Sequence, residues 1–317
     1  MSGFFSSATA MRIFKVSGKM EDFAENLEAA AFRSQPPDPG PDGKIVGFVG
    51  LADPLDTDFA FDLTHEQYMT LSLRMDERKP SAAAIRMRLA EAIKKESAAN
   101  DGKISRSRKK ELKESITAAV TAKADFVPSL VDIFWDTERG ILLLTCTADA
   151  AISLTLELIQ RVFGVEATPL FPSADMAALF QRIYSGESTY KVRLDDERWA
   201  EVMSDDYIVT LSTPEGSDEK ATVSARGSQE PGLKALEKGM QIRRMGIVAD
   251  IYEGQEAEPV MSCVFSLDDS LAVNGLKMPK HEKGNDREAD VLLKASHACT
   301  VAELVEKLGA DEQGVQD

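Results

Sequence analysis

Alternation of apolar and polar side chains is cleanest at residues 68–75, where Met69, Leu71, Leu73 and Met75 fall on one side and Tyr68, Thr70, Ser72 and Arg74 on the other. A period of two predicts a strand with one buried face. Shorter apolar runs predict strands at Met11–Val16, Gly47–Leu51 and Phe59–Leu63, after a loose extension over Met1–Ala10. Phe23, Leu27 and Ala30 recur at helical spacing with acids opposite, which predicts an amphipathic helix over Met20–Ala31. Four prolines and two glycines make Ser34–Gly43 a loop.

Two helices follow, each with a short apolar stripe. The first has Ser81 as its N-cap and Ile85, Leu89 and Ile93 at i, i+4, i+8, and Asn100 to Gly102 breaks it. The second starts near Ser105 or Ser107 and repeats the spacing with Leu112, Ile116 and Val120. Two such stripes joined by a turn predict a helical hairpin that buries little and projects from the body. Val131–Trp135 and Ile141–Cys146 then flank a turn at Asp136–Gly140, a β-hairpin in which Gly140 takes positive φ.

Ala150–Phe163 reads as a helix stopped by Gly164, and Asp175–Tyr184 as another. Farther on, strands are predicted at Tyr207–Ser212, Ala221–Ala225, Gln241–Ile251, Pro259–Leu267 and Asp290–Lys294. Thr300 to Glu303 forms a capping box opening a last helix through Leu308. The elements interleave without a βαβ rhythm, so the expected class is α+β with mixed, mostly antiparallel sheets. The expected division is an N-terminal α+β part of a central body (residues 1–79), a basic helical hairpin or tip (80–128), the β-hairpin and helix of the central body (129–185), and a C-terminal α+β part (186–317).

Charge sharpens this picture. Between Pro80 and Lys123 eleven Lys/Arg stand against five acids, a surplus of +6 in a chain whose net charge is −16, which leaves −22 on the rest. Positive charge concentrated in one part of an acidic chain points to a polyanion met at that place. The alternative is an ordinary solvated pair of helix faces. The three cysteines form no C-x-x-C, and those in apolar strand-like runs, Cys146 and Cys263, are expected to be buried, reduced thiols of a cytosolic protein. No positive n-region precedes Ala8 to Ala10, so no signal peptide is expected, and no apolar run reaches the ~20 residues of a membrane span.

The sequence holds no P-loop, no G-x-S-x-G, no G-x-G-x-x-G, and no metal-ligand spacing among His65, His281 and His297. On a strand His297 and Cys299 would share a face, but no third group orients the imidazole, so the pair reads as coincidence. A nuclease would draw on Asp56, Asp58 and Asp62 with Glu111-Leu112-Lys113, yet that E-x-K lies within a basic helix where a strand is needed. No cofactor or metal is expected, and the acids read as solvating surface.

The basic helices ending in Lys109-Lys110-Glu111-Leu112-Lys113-Glu114, the strand-turn-strand from Asp132 to Cys146, and the helix Leu156 to Gly164 together resemble the bacterial recombination-associated RdgC family. Similarity extends to Arg12–Val16, Gly47–Gly50 and Asp290–Gly309. The resemblance implies a nucleoid-associated, cytoplasmic protein that binds double-stranded DNA without sequence preference, forms a ring-shaped homodimer around it, and restrains RecA. It also implies a basic residue and then a phenylalanine at a tip contact after the second helix. Here Lys123 matches the first, while Asp125 occupies the aligned aromatic position with Phe126 one residue later. A basic contact in the C-terminal half falls nearest Arg226. The expected DNA-binding residues are therefore Arg106, Arg108, Lys109, Lys110, Lys113, Lys123, Phe126 and Arg226. No enzymatic activity is expected, with a metal-dependent exonuclease and a protein-interaction scaffold as the rivals.

Overall fold

The computed structural model describes residues 6, 8–18, 23–33, 44–59, 64–99, 104–186, 189–217, 219–280 and 286–310. The first part of the chain forms β1 (Ala8–Ser17), α1 (Phe23–Ala29), β2 (Ile45–Val49), β3 (Thr64–His65), β4 (Tyr68–Arg78), α2 (Ala82–Ala99), α3 (Arg106–Thr121), β5 (Phe126–Asp136) and β6 (Ile141–Leu144). Next come α4 (Asp149–Phe163), β7 (Glu166–Pro169), α5 (Met176–Ser185) and β8 (Tyr190–Arg193). The remainder is β9 (Arg198–Ser212), β10 (Thr222–Ala225), α6 (Glu230–Glu237), β11 (Gln241–Glu253), β12 (Met261–Asp268), β13 (Val273–Lys277) and α7 (Arg287–Ala310).

These elements make an α+β protein around one large, mostly antiparallel sheet of order β10-β9-β11-β12-β13-β1-β6-β5-β4-β2, with β3 on β4, β7 on β1 and β8 on β9. Strand β1 joins its two halves. Its first residues pair with β13, Ala8 opposite Lys277 and Met11 opposite Val273, whereas Arg12 to Lys15 pair with β6. Helix α4 lays Leu158, Ile159 and Phe163 on the face of β4, β5 and β6 that carries Leu71, Leu73, Ile133 and Leu142. Gly164, left-handed at φ 68°, ends it as its sequence predicts. A larger core gathers Phe180 and Tyr184 of α5, Ile247 and Ile251 of β11, and Val301 and Val305 of α7.

Most predicted elements are present with shifted ends. The extension does not run to Ala10, since β1 starts at Ala8. The predicted loop over residues 34–43, and all of the strand predicted over 59–63 except Phe59, lie outside the described residues; Phe59 itself is irregular, with φ 51°. In β4 burial is not confined to one face: Thr70 and Ser72 are fully buried opposite the apolar row. Ser72 can be buried because its hydroxyl donates to Asp132 (2.6 Å) and accepts the Ala52 N–H (2.9 Å), so its polar group is satisfied.

The larger correction is at the C-terminus. Asp290–Lys294 is not a strand and Thr300 does not open a helix, because both belong to the 24-residue α7. The N-terminal cap is Asp286, whose carboxylate accepts the Ala289 N–H at 2.9 Å. Thr300 instead turns its hydroxyl back to the Ser296 carbonyl at 2.9 Å, the habit of a threonine inside a helix. Two charged residues, Asp290 and Lys294, lie on the buried side one turn apart and pair at 2.5 Å, which hides the apolar period from the sequence. The sequence pattern does not predict strands β3, β7, β8 and β13, helix α6 or the first half of β9. Among the described residues no helix is long and apolar enough to cross a membrane.

Candidate nucleic-acid interface

Strands β4 and β5 stay paired to their shared end, Arg78 opposite Phe126, and the chain between them is α2 and α3. The two helices thus leave the sheet and return to it at one place. Ser81 caps α2, accepting the Ala84 N–H at 3.3 Å, and Ser105 caps α3, accepting the Arg108 N–H at 3.1 Å. The helices pack on each other. Ile85, Leu89, Ile93, Leu112 and Ile116 are half-buried and Val120 is buried, so the predicted stripes face inward as far as a two-helix unit allows.

Arg106, Lys109, Lys110 and Lys113 are all exposed and stand at i, i+3, i+4 and i+7, which places them on one stripe of α3. Lys110 approaches Glu114 at 3.8 Å, an exposed pair worth little in water. Among the described residues Arg106, Lys109, Lys113 and Lys123 have no acidic partner. Arg108 differs. Its guanidinium donates to Glu96 of α2 at 2.6 Å and to Glu111 of α3 at 2.9 Å, so its charge is matched within the helix pair. Lys103 lies outside the described residues.

Lys123 is exposed in the turn after α3. Phe126 opens β5, packs against Phe32, Ile45 and Val49, and carries the Arg78 guanidinium over its ring at 4.4 Å. Asp125 beside it is exposed. Arg226 follows β10 and pairs with Asp206 at 3.1 Å, both exposed. Six strands separate β10 from β5 in the sheet order, so within one chain Arg226 and the α3 stripe belong to opposite ends of that order. Sequence reasoning missed Arg78, which no charge count distinguishes from its neighbours.

The groups considered for catalysis are dispersed. Glu111 sits on α3 against Arg108, and Asp62 lies outside the described residues. Among the described residues no three His, Cys, Asp or Glu side chains converge as a metal-binding group. His297 and Cys299 are on α7, where two residues span about 200° of rotation and separate their side chains. The His297 Nε2 lies 3.2 Å from the Lys277 carbonyl, while Cys299 is buried and its thiol pKa is pushed up to about 12 by that burial. Cys263 is likewise buried and raised to about 12, whereas Cys146 is only half-buried, contrary to expectation, because it falls just beyond β6.

No curated protein matches this chain. A family model described as "Putative exonuclease, RdgC" matches residues 4–197, a span that runs from the start of the chain through α2, α3 and β5 to the edge of β9. That span is more than half of the sequence, and the chain belongs to the RdgC family.

Proposed function

We propose that the protein binds double-stranded DNA without sequence preference through the exposed basic stripe of α3, and acts on recombination by occupying DNA. One observation carries this reading: Arg106, Lys109, Lys110 and Lys113 lie on a single helix face in a chain of net charge −16. A helical stripe of this kind offers cations to phosphates, and phosphate contacts fix a protein on a duplex without carrying sequence information. In this reading α2 and α3 form a hairpin, two copies close around the duplex, and access of RecA to DNA is restricted. The protein works in the nucleoid and is not an enzyme.

Titration of a labelled duplex at several salt concentrations tests the reading. Log affinity should fall linearly with log salt, by about 0.9 per phosphate neutralised. Replacing Arg106, Lys109 and Lys113 together by Ala should weaken binding alike on unrelated duplexes and flatten the slope by about two to three units. Arg108 is left in place because it ties α2 to α3. An unchanged slope in the folded variant would remove α3 from the DNA path. Sedimentation should give a dimer, and a monomer that still binds DNA would end the encircling arrangement. The description of the family favours a second reading, an exonuclease, which incubation of DNA with the protein and Mg²⁺ or Mn²⁺ decides.

A further inference from the structure

A helix pair joined to a sheet by two short connections can swing unless something holds it. At the junction Arg78, the last residue of β4, donates from Nη1 to the carbonyls of Ala122 (2.7 Å) and Ala124 (2.9 Å). Ala122 is the C-cap of α3, so the guanidinium sits where the helix leaves carbonyls unpaired and where its dipole is negative. The same group lies 4.4 Å above the Phe126 ring, and that ring is packed on Phe32, Ile45 and Val49. Four residues earlier on the same side of β4, Arg74 covers the Phe32 ring at 4.0 Å and is held by Asp76 and the Pro54 carbonyl. The end of α3 is thus fastened through one cation to an aromatic block that belongs to the body. Among the described residues Arg78 has no acidic partner.

We propose that Arg78 is a positioning residue that fixes the angle at which α2 and α3 leave the sheet, and thereby holds the α3 stripe ready for DNA. The proposal rests on the DNA reading of α3 given above. It needs the shape of arginine and not only its charge, since a lysine cannot donate to two carbonyls while lying flat on a ring. A helix pair released at its base would still make its phosphate contacts, but it would have to be ordered on binding.

The test uses the full-length protein with Arg78→Lys, Arg78→Ala and Phe126→Leu, each checked for folding by circular dichroism. Amide hydrogen exchange is followed at residues 122–126, and duplex affinity is measured across a salt series. The expected result is faster exchange at the junction in all three, unchanged exchange in β11 and β12, and affinity lower by about tenfold with the salt slope kept, as when one charge-assisted contact must be re-formed on binding. Wild-type affinity in Arg78→Lys would overturn the proposal, because charge alone would then suffice. A slope flattened by about 0.9 in Arg78→Ala with affinity retained in Arg78→Lys would make Arg78 a direct phosphate contact instead. Unchanged junction exchange, or faster exchange with affinity intact, would also overturn it. If the wild-type protein binds no duplex, the DNA reading falls by itself, and the exchange data alone decide whether Arg78 holds the helices.

Discussion

His297 is half-buried on α7 with Nε2 facing the Lys277 carbonyl, and burial, partly opposed by that hydrogen bond, lowers its pKa below 6.5. Above the unfolded value both states carry a neutral ring and the group adds no pH dependence. As pH falls below about 6.5 the unfolded chain takes up the proton first, so folding stability is lost progressively down to the lower folded pKa. Urea midpoints measured from pH 7.5 to 5.5 should therefore fall less in His297→Gln than in the wild-type protein, and equal slopes would show that the ring is not shielded. The burial of His297 could not be read from its neighbours, because Ser296 and Thr300 look like solvent-facing company. Close approach is similarly silent in sequence: a Cβ at Gly47 would lie 2.4 Å from the Phe32 backbone, so the glycine is what lets the segment before β2 lie against it. The i, i+3, i+4 and i+7 spacing of the α3 stripe was readable, since it is a property of the sequence itself. The engagement of Arg108 was not, because Glu96 is twelve positions away.

Elements were recovered where one periodicity ran unbroken. Helix α4 combines Leu158, Ile159, Val162 and Phe163 with a stopping glycine, and the turn at Gly140 joins the uniformly apolar β6 to the end of β5, where Val131, Ile133, Phe134 and Trp135 are interrupted by Asp132 alone. Helix α7 was lost because its buried face is mixed, with Asp290, Lys294 and Cys299 among alanines and valines, and because Thr300 and Glu303 imitate a start. The two descriptions of this segment predict opposite outcomes for Val301→Pro. If Thr300 were the cap, residue 301 would be the first helical position, where proline is well tolerated. In α7 residue 301 is internal and fully buried, so proline removes a helical hydrogen bond and strains the turn before it, costing about 3 kcal/mol or more beyond the lost packing. Denaturant unfolding of the variant separates the two, and stability within about 0.5 kcal/mol of the wild type would contradict a continuous helix.

Across the molecule the two halves of the sheet share β1 covalently and α7 through side chains. Glu303 accepts from Arg139, in the turn between β5 and β6, at 3.1 Å, and from Arg198, at the head of β9, at 2.9 Å, with its own side chain 15% exposed. Glu306, one turn on, pairs with Lys15 of β1 at 2.7 Å, but that pair is more than a third exposed on both sides. These long-range ties are invisible in sequence, because nothing near Glu303 indicates that residues more than a hundred positions earlier will meet it. Their energies should differ in a definite way. Replacing Glu303 by Gln keeps the shape of the side chain but removes the charge that two arginines share. After discounting the half-exposed Arg139 for solvent screening, the loss should be about 1–2 kcal/mol. Glu306→Gln removes one screened pair and should cost less than about 1 kcal/mol. A lower urea midpoint with an unchanged m-value in Glu303→Gln would mark a weaker joint between intact halves. A reduced m-value would mean instead that the halves had begun to unfold separately, as expected if Glu303 is what makes them one cooperative unit. Equal, negligible effects of both substitutions would show that β1 and the apolar contacts of α7 hold the halves together without help from these charges.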